Sequence, residues 1–462
     1  MNLEIKKYPM YYGGVKQTYP DVKSGMTFRS KAATVGNLVF LSGLDGRMLE
    51  TVRVSSNKFE EQLIVCLDNI RLALEEAGSS MDNIVRNLVL LRNYKDSQRI
   101  WKTMLEYYQK HAPHLVEEPP AITVTQVDAL DSLECLVEID SIAVISPDEP
   151  GWKMKRHPMY YGGVKQAYPY IEPGKPFLSE SVAVGNLLFL SAMGGENPGT
   201  GRIETDNLEE QSHTALDKVR AAMDNAGSSM SNVVKTLHFL TGVDRLKEKA
   251  QDVGQSYSPA SDRLWKAELE YYDKYAPFLL EEFPSSTFLK VSSLSDSRAL
   301  TQTEFIGAIS RYRKGWRIKN YPCYLAKRGF PRHIGDIHKY YADSIAVGNI
   351  LIPSGAWTFD PLNGRHDPNL PFDKQVWRTL NNLRDVLEEA GSSMENLVKT
   401  WVYVTEPENY ATVREVELEY YKKYAPSLVD EPPASTAVLV HGLAAIGMVE
   451  IDSIALIPHD GD

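Results

Sequence analysis

The chain says the same thing three times, so any fold it adopts must be built from three copies of one unit. Val35-Gly36-Asn37-Leu38-Val39-Phe40-Leu41-Ser42-Gly43 returns as Val184-Gly185-Asn186-Leu187-Leu188-Phe189-Leu190-Ser191-Ala192. It returns again as Val347-Gly348-Asn349-Ile350-Leu351-Ile352-Pro353-Ser354-Gly355. Each stretch reads as a tight Gly-Asn turn entering a short apolar strand that ends on a serine and a small residue. Small residues there let a ligand, or another backbone, come close.

A Tyr-rich leader precedes each turn. Tyr8-Pro9-Met10-Tyr11-Tyr12-Gly13-Gly14 recurs as His157-Pro158-Met159-Tyr160-Tyr161-Gly162-Gly163 and, decayed, as Tyr321-Pro322-Cys323-Tyr324. Gly151-Trp152 and Gly315-Trp316 introduce the second and third leaders, which places domains at 1–150, 151–314 and 315–462. A period this long is a whole domain repeated rather than a solenoid unit. The leaders serve as interface filler or drape over neighbouring domains.

Within copy one, Phe59, Leu63, Leu67, Ile70 and Leu74 stand at helical spacing. That helix stops at Ala77-Gly78-Ser79-Ser80-Met81, and the same stop recurs at Ala226 and Ala390. A β-type run follows, then a second helix ending in Leu105-Glu106-Tyr107-Tyr108, then closing strands ending with Val137 to Ala143. Copy two inserts an extra loop at 244–262. A helix pair on one face of a short sheet leaves an apolar face that needs cover. Three such α+β units predict a closed ring, a single-chain pseudo-trimer that mimics a cyclic homotrimer and could oligomerise further.

The formal charge of −11 argues against a nucleic-acid binder, which needs clustered Lys and Arg. No apolar run is long enough to span a bilayer, and the start lacks the apolar core of a secretion signal. Cys66, Cys135 and Cys323 are odd in number and occupy unrelated repeat positions, so each reads as a buried small residue. A cytoplasmic protein without nucleic-acid or membrane partners is the expectation.

Val-Gly-Asn-Leu-Val-Phe-Leu-Ser-Gly, the helix carrying Gln62, Leu67, Asp68 and Asn69, a Pro-Pro-Ala before a strand, and the closing Val137-Glu138-Ile139-Asp140 together resemble the Rid/YjgF family. The resemblance implies chorismate-mutase-like α+β domains, a trimer, and a ligand cleft at each subunit interface. It also implies hydrolysis of reactive enamines and imines, although some members are described as ribonucleases or binding proteins.

Most of the family's functional positions change here. The arginine that follows Pro-Ala is Ile122, Ser286 and Ser435 in the three copies. The closing-strand glutamate survives as Glu138 and Glu450 but is Gln302 in copy two. The tyrosine before the Gly-Asn strand aligns with Arg29, Leu178 and Tyr341, and the second-helix asparagine with Trp101, Trp265 and Arg414. Ser42-Gly43 and Ser354-Gly355 keep the family's pattern, whereas Ser191-Ala192 does not.

Hydrolysis of C=N needs a positioned water, a proton carrier and a substrate holder. Glu138 and Glu450 are the candidate acid–base groups. Arg29, Arg414, Tyr341, Trp101, Trp265, Gln302, Ser286, Ser435 and the two Ser-Gly pairs are the candidate binding residues. A lost arginine points to a small, uncharged or cyclic C–N or C=N substrate, unless Arg29 or Arg414 supplies the missing cation. Against these stand blander readings: salt-bridged strand glutamates, solvated arginines and core tryptophans. His333-Ile334-Gly335-Asp336-Ile337-His338 carries two imidazoles and a carboxylate but nothing that fixes their spacing, so neither metal nor organic cofactor is expected. The reading is a Rid-like hydrolase or deaminase working by water addition, with a non-catalytic small-molecule binder as the alternative.

Overall fold

The computed structural model describes residues 3–23, 25, 27–241, 259–294, 296–323, 341–360, 366–367, 369–444 and 447–458. The Gly-Asn turns form as read. Gly36, Gly185 and Gly348 have φ of 56°, 61° and 61° between antiparallel strands, in register Val35↔Leu38, Val184↔Leu187 and Val347↔Ile350. Positive φ at the first of two central residues is a hairpin geometry that glycine adopts without steric cost. The asparagine then ties the hairpin to the end of the closing strand. Asn37 Nδ2 donates to Ser146 O at 2.6 Å and its Oδ1 accepts from Ser146 N at 2.9 Å.

In copy one the hairpin strands Ser30–Val35 and Leu38–Leu41 are followed by closing strand Val137–Val144, then Ile84–Leu91, then Ala121–Gln126. Only the last pairing is parallel. The same order recurs in copies two and three. Helices Phe59–Glu76 and Ser97–His111 cover one face, as do Leu208–Asn225 with Pro259–Tyr275, and Phe372–Glu389 with Tyr410–Tyr424. Among the described residues, no helix is long and apolar enough to cross a membrane. The three cysteines are buried.

The extra loop of copy two ends sooner than its composition suggested. Residues 259–262 already belong to a helix opened by Pro259, a residue suited to the first helical turn. Residues 242–258, and the His333–His338 motif, lie outside the described residues.

The copies meet pairwise, first on second, second on third and third on first. Each seam repeats one hydrogen bond at 2.8 Å, donated by a backbone N–H to the serine that ends the hairpin of the next copy: Ile122 to Ser191, Ser286 to Ser354, and Ser435 to Ser42. Each serine hydroxyl in turn donates back to its own hairpin, as Ser42 does to Ser30 O at 2.6 Å. The leaders drape over neighbours. Phe177 of copy two packs on Trp101 and Tyr108 of copy one, and Phe28 of copy one packs on Tyr421 of copy three.

The sheet faces between copies are mostly apolar and form one cluster drawn from all three, including Phe40, Phe189 and Ile352. The expectation of an apolar face needs qualification, because three cations and three carboxylates are buried there. Lys399 reaches Asp140 at 2.5 Å, Lys235 reaches Asp452 at 2.9 Å, and Arg86 reaches Glu304 at 2.7 Å. Each of these three pairs crosses a seam, and Arg86 also reaches Asp140 of its own copy at 2.9 Å. The third residue of each long strand meets the fourth of the next copy's closing strand. A threonine completes each cluster, since Thr436, Thr287 and Thr123 donate to Asp140, Asp452 and Glu304. Lys399 and Lys235 also donate to Leu41 O and Pro353 O, the carbonyls just before the two Ser-Gly pairs.

Removing one partner strands the other charge in a dry interior. Lys235→Met, which leaves Asp452 with no cation within ion-pair distance among the described residues, is expected to destabilise the chain by about 3–5 kcal/mol, read as a lower urea midpoint. An unchanged midpoint would show that the seam holds without the pair.

Candidate functional site

The seams gather the aligned positions into three different sets. Copy three meets copy one through Arg414 and Ser435 on one side and Arg29, Ser42, Gly43 and Glu138 on the other. Copy two meets copy three through Trp265 and Ser286 against Tyr341, Ser354, Gly355 and Glu450. Copy one meets copy two through Trp101 and Ile122 against Leu178, Ala192 and Gln302.

The glycine of each Ser-Gly pair has a physical reason. A Cβ on Gly43 would lie 1.8 Å from Glu138 Oε1, and one on Gly355 would lie 2.0 Å from Glu450 Oε1. The carboxylate therefore occupies the space a side chain would take. Where the glutamate gives way to Gln302, the glycine gives way to Ala192.

The seam between copies three and one is rich in buried charge. Glu138 is fully buried, and among the described residues neither of its carboxyl oxygens has a hydrogen-bond partner. Burial raises its pKa to about 8; Asp45 and Asp131 push the same way, while Arg29 and Arg47 oppose. Arg29 Nη1 donates to Ser435 O at 3.3 Å, and Nη2 donates to Tyr12 Oη at 3.1 Å and lies 3.6 Å from Asp131. Arg414 Nη1 donates to Glu417 at 2.5 Å. Among the described residues, Arg29 Nε and both Nε and Nη2 of Arg414 are buried without a hydrogen bond of good geometry, although the Tyr410 hydroxyl helps to stabilise the Arg414 charge. Asp131 links the two arginines, because it accepts from Tyr410, whose ring lies 5.3 Å beneath the Arg414 guanidinium. Despite its burial, Asp131 is held well below the ordinary carboxylate range by Arg47 and Arg29. The reading of Arg29 and Arg414 as solvated surface charges is overturned: they are 1% and 2% exposed. Both sit in the seam because carboxylates there offset the cost of burial.

The seam between copies two and three is aromatic instead. Trp265 and Phe288 stand 5.2 Å apart on one side, Trp357 and Phe359 5.2 Å apart on the other, and Tyr341 packs against this cluster. Glu450 accepts from the backbone N–H of Phe288, and burial together with Asp452 raises its pKa to about 8 against the opposing pull of Lys235. Behind Phe288 lies a pair that sequence reasoning missed. His238 Nδ1 is 3.0 Å from Thr303 Oγ1 and 3.6 Å from Glu268 Oε1. Copy one has Val89 and Met104 at these positions. Burial lowers His238 to about 3 and raises Glu268 to about 8, so both are neutral near pH 7.

The remaining seam holds a cleft of about 890 Å³. Trp101, Ile122, Val124, Leu178, Ala192 and Gln302 line its inner end. Ser42 and Ser354, named as binding residues, are structural, as is their counterpart Ser191, because all three spend their hydroxyls on the hairpin and the neighbouring backbone. The cross-seam charges had one visible signal: Arg86, Lys235 and Lys399 each place a cation in a mainly apolar β-type run at the same repeat position.

The family model described as Endoribonuclease L-PSP matches residues 24–145, 171–295 and 332–457. A RutC family protein of Pyrococcus abyssi is 31% identical over 125 residues, covering 27% of this chain and 89% of that protein. A 2-iminobutanoate/2-iminopropanoate deaminase of Dermatophagoides farinae is 29% identical over 116 residues, covering 25% of this chain and 84% of that protein. Among solved structures, a chorismatase aligns with 81% of this chain and 93% of its own at a TM-score of 0.49 and 12% identity. With the model matched three times in tandem, the chain belongs to the Endoribonuclease L-PSP family, the Rid/YjgF proteins, as three α+β domains in one polypeptide.

Proposed function

We propose that this Rid-family chain is a deaminase-type hydrolase that adds water to a small C=N compound at the seam between its third and first copies. One observation carries the reading. Among the described residues, five buried polar atoms at that seam lack hydrogen-bond partners of good geometry: both oxygens of Glu138, Nε of Arg29, and Nε and Nη2 of Arg414. Buried polar groups in folded proteins are nearly always satisfied, so a cluster of orphans of complementary polarity is a mould for a polar ligand. Guanidinium donors suit a carboxylate on that ligand. Arg29 and Arg414 would then replace the family arginine that Ser435 has lost, and the expectation of an uncharged substrate gives way to an acidic one at this seam. The relative named for 2-iminobutanoate and 2-iminopropanoate supports the same substrate class.

Water adds to the C=N carbon, the nitrogen takes up protons and leaves as ammonia, and a carbonyl remains. A carboxyl group with a pKa of about 8 is protonated at neutral pH, so Glu138 gives its proton to the nitrogen and recovers one from the attacking water. The acidic balance of the chain weighs against a ribonuclease, which would need a cationic track for phosphates. A binding protein without turnover remains the rival reading.

Ammonia release from an imine generated by an amino-acid oxidase tests the proposal. Glu138→Gln is expected to cut turnover by about 10²–10⁴-fold. The wild-type rate should fall as pH rises through about 8, where the proton donor ionises; a rate that climbs across that range would reverse the assigned role. Gly43→Ala should also abolish turnover, because its Cβ claims the place of Glu138 Oε1. Arg414→Lys should raise KM by about tenfold or more, since an ammonium cannot reproduce the fork of donors. Full activity in all three variants would overturn the assigned site, whereas no ammonia release by the wild-type chain would favour the binding protein.

A further inference from the structure

The seam between copies one and two differs from the charged seam at four aligned positions at once. Arg29 is matched by Leu178, Arg414 by Trp101, Glu138 by Gln302 and Gly43 by Ala192. Each change removes a charge or fills the space where a carboxylate would sit, yet the cleft stays open at about 890 Å³. A seam that had only decayed would be expected to pack shut, because an apolar void forfeits contacts. This one has kept its opening and exchanged its chemistry.

Two side chains give the cleft a character of its own. Trp101 is 8% exposed and is fixed edge-on by Phe177 at 5.9 Å. Gln302 is 7% exposed, and its Nε2 makes one long hydrogen bond, 3.4 Å to Val124 O. Its carbonyl oxygen and second N–H make no further bond among the described residues. A carboxamide with one acceptor and one donor to spare recognises a partner that presents N–H and C=O side by side. An indole beside it favours a flat ring. The inner wall of Ile122, Val124, Leu178 and Ala192 offers no cation, so a bound carboxylate would be desolvated without compensation. The cleft's three cations, Arg99, Lys102 and Lys175, are all solvent-exposed and are outnumbered by Glu60, Glu106, Glu196 and Asp296; Arg99 is paired with Glu60 and Asp96, and Lys102 lies 4.0 Å from Glu106. Glutamine moves no protons near neutral pH, so the seam can bind without turning over what it binds.

We propose that the seam between copies one and two is a binding site, separate from turnover, for a neutral planar carboxamide or lactam. The ligand's ring lies against Trp101 and its amide pairs with Gln302.

Benzamide and its anionic isostere benzoate, titrated calorimetrically into the full chain, test this. Benzamide should bind saturably, one per chain, and about tenfold or more tighter than benzoate, as expected when the charge finds no partner. Gln302→Leu and Trp101→Ala should each weaken benzamide binding by about tenfold, the loss of a buried amide pair and of a stacking surface. Glu138→Gln should leave benzamide binding unchanged, which separates this site from the charged seam. The absence of saturable binding, benzoate binding as tightly as benzamide, unaltered affinity in Gln302→Leu, or loss of binding in Glu138→Gln would each overturn the proposal. Because ammonia release depends on Glu138 and not on benzamide, the two proposals fail independently.

Discussion

Lys399 against Asp140, Lys235 against Asp452 and Arg86 against Glu304 set the relation between the copies on which every seam depends. Hydrophobic burial alone would press the sheet faces together but would accept many slips and rotations, because it is non-directional. A buried ion pair tolerates few of them, since any shift that parts the charges exposes each to an uncompensated low-dielectric environment. The threonines and backbone carbonyls that share these pairs narrow the geometry further. Lys399 and Lys235 hold the carbonyls of Leu41 and Pro353, one residue before the Ser-Gly pairs, so the clamp that joins two copies also fixes the wall of the seam beside Glu138 and Glu450.

With the clamp shared by all three seams, the rest of each seam is free to differ. A homotrimer must write any change into all of its interfaces together, whereas a tandem chain can alter them singly. The outcome here is one seam built on arginines and carboxylates, one on aromatic rings around Glu450, and one on Trp101 and Gln302. Even so, the changes are linked within a seam. A glutamate facing the Ser-Gly pair requires glycine for steric reasons, and copy two relaxes both positions together.

Much of this architecture was legible in the sequence because it is encoded locally. Glycine at positive φ in Gly36, helical spacing from Phe59 to Leu74 and the recurring Ala-Gly-Ser-Ser stops all act within a few residues. The family resemblance extended that reading to the seams and brought Arg29, Arg414 and Glu138 to attention. What stayed hidden depends on partners from different copies. The charges of Arg86, Lys235 and Lys399 were visible, but nothing near them in sequence names Glu304, Asp452 or Asp140 as partners. The His238–Glu268 pair was hidden for a related reason: it arises from two single changes, on a strand and a helix, that become neighbours only when copy two packs. The insert of copy two was misjudged at its end because the proline there opens a helix, although it reads equally well as loop.

The electrostatics of the charged seam bear on how Glu138 could serve there. Arg29, Arg47 and Arg414 face Asp45, Asp131 and Glu417, so the surroundings balance without Glu138. A fourth negative charge would therefore be buried unpaired, which is why the carboxyl holds its proton to about pH 8. The stability consequence has a definite sign. Between the ordinary value of 4.5 and about 8 the folded chain keeps a proton that the unfolded chain has released, so this group's contribution to stability falls as pH rises through that window. On the proposed reading, an anionic ligand seated beside the arginines would add negative charge next to Glu138 and strengthen its hold on the proton. Substrate binding and retention of the proton donor would then favour one another, and the seam would be best prepared to protonate nitrogen when a substrate is present.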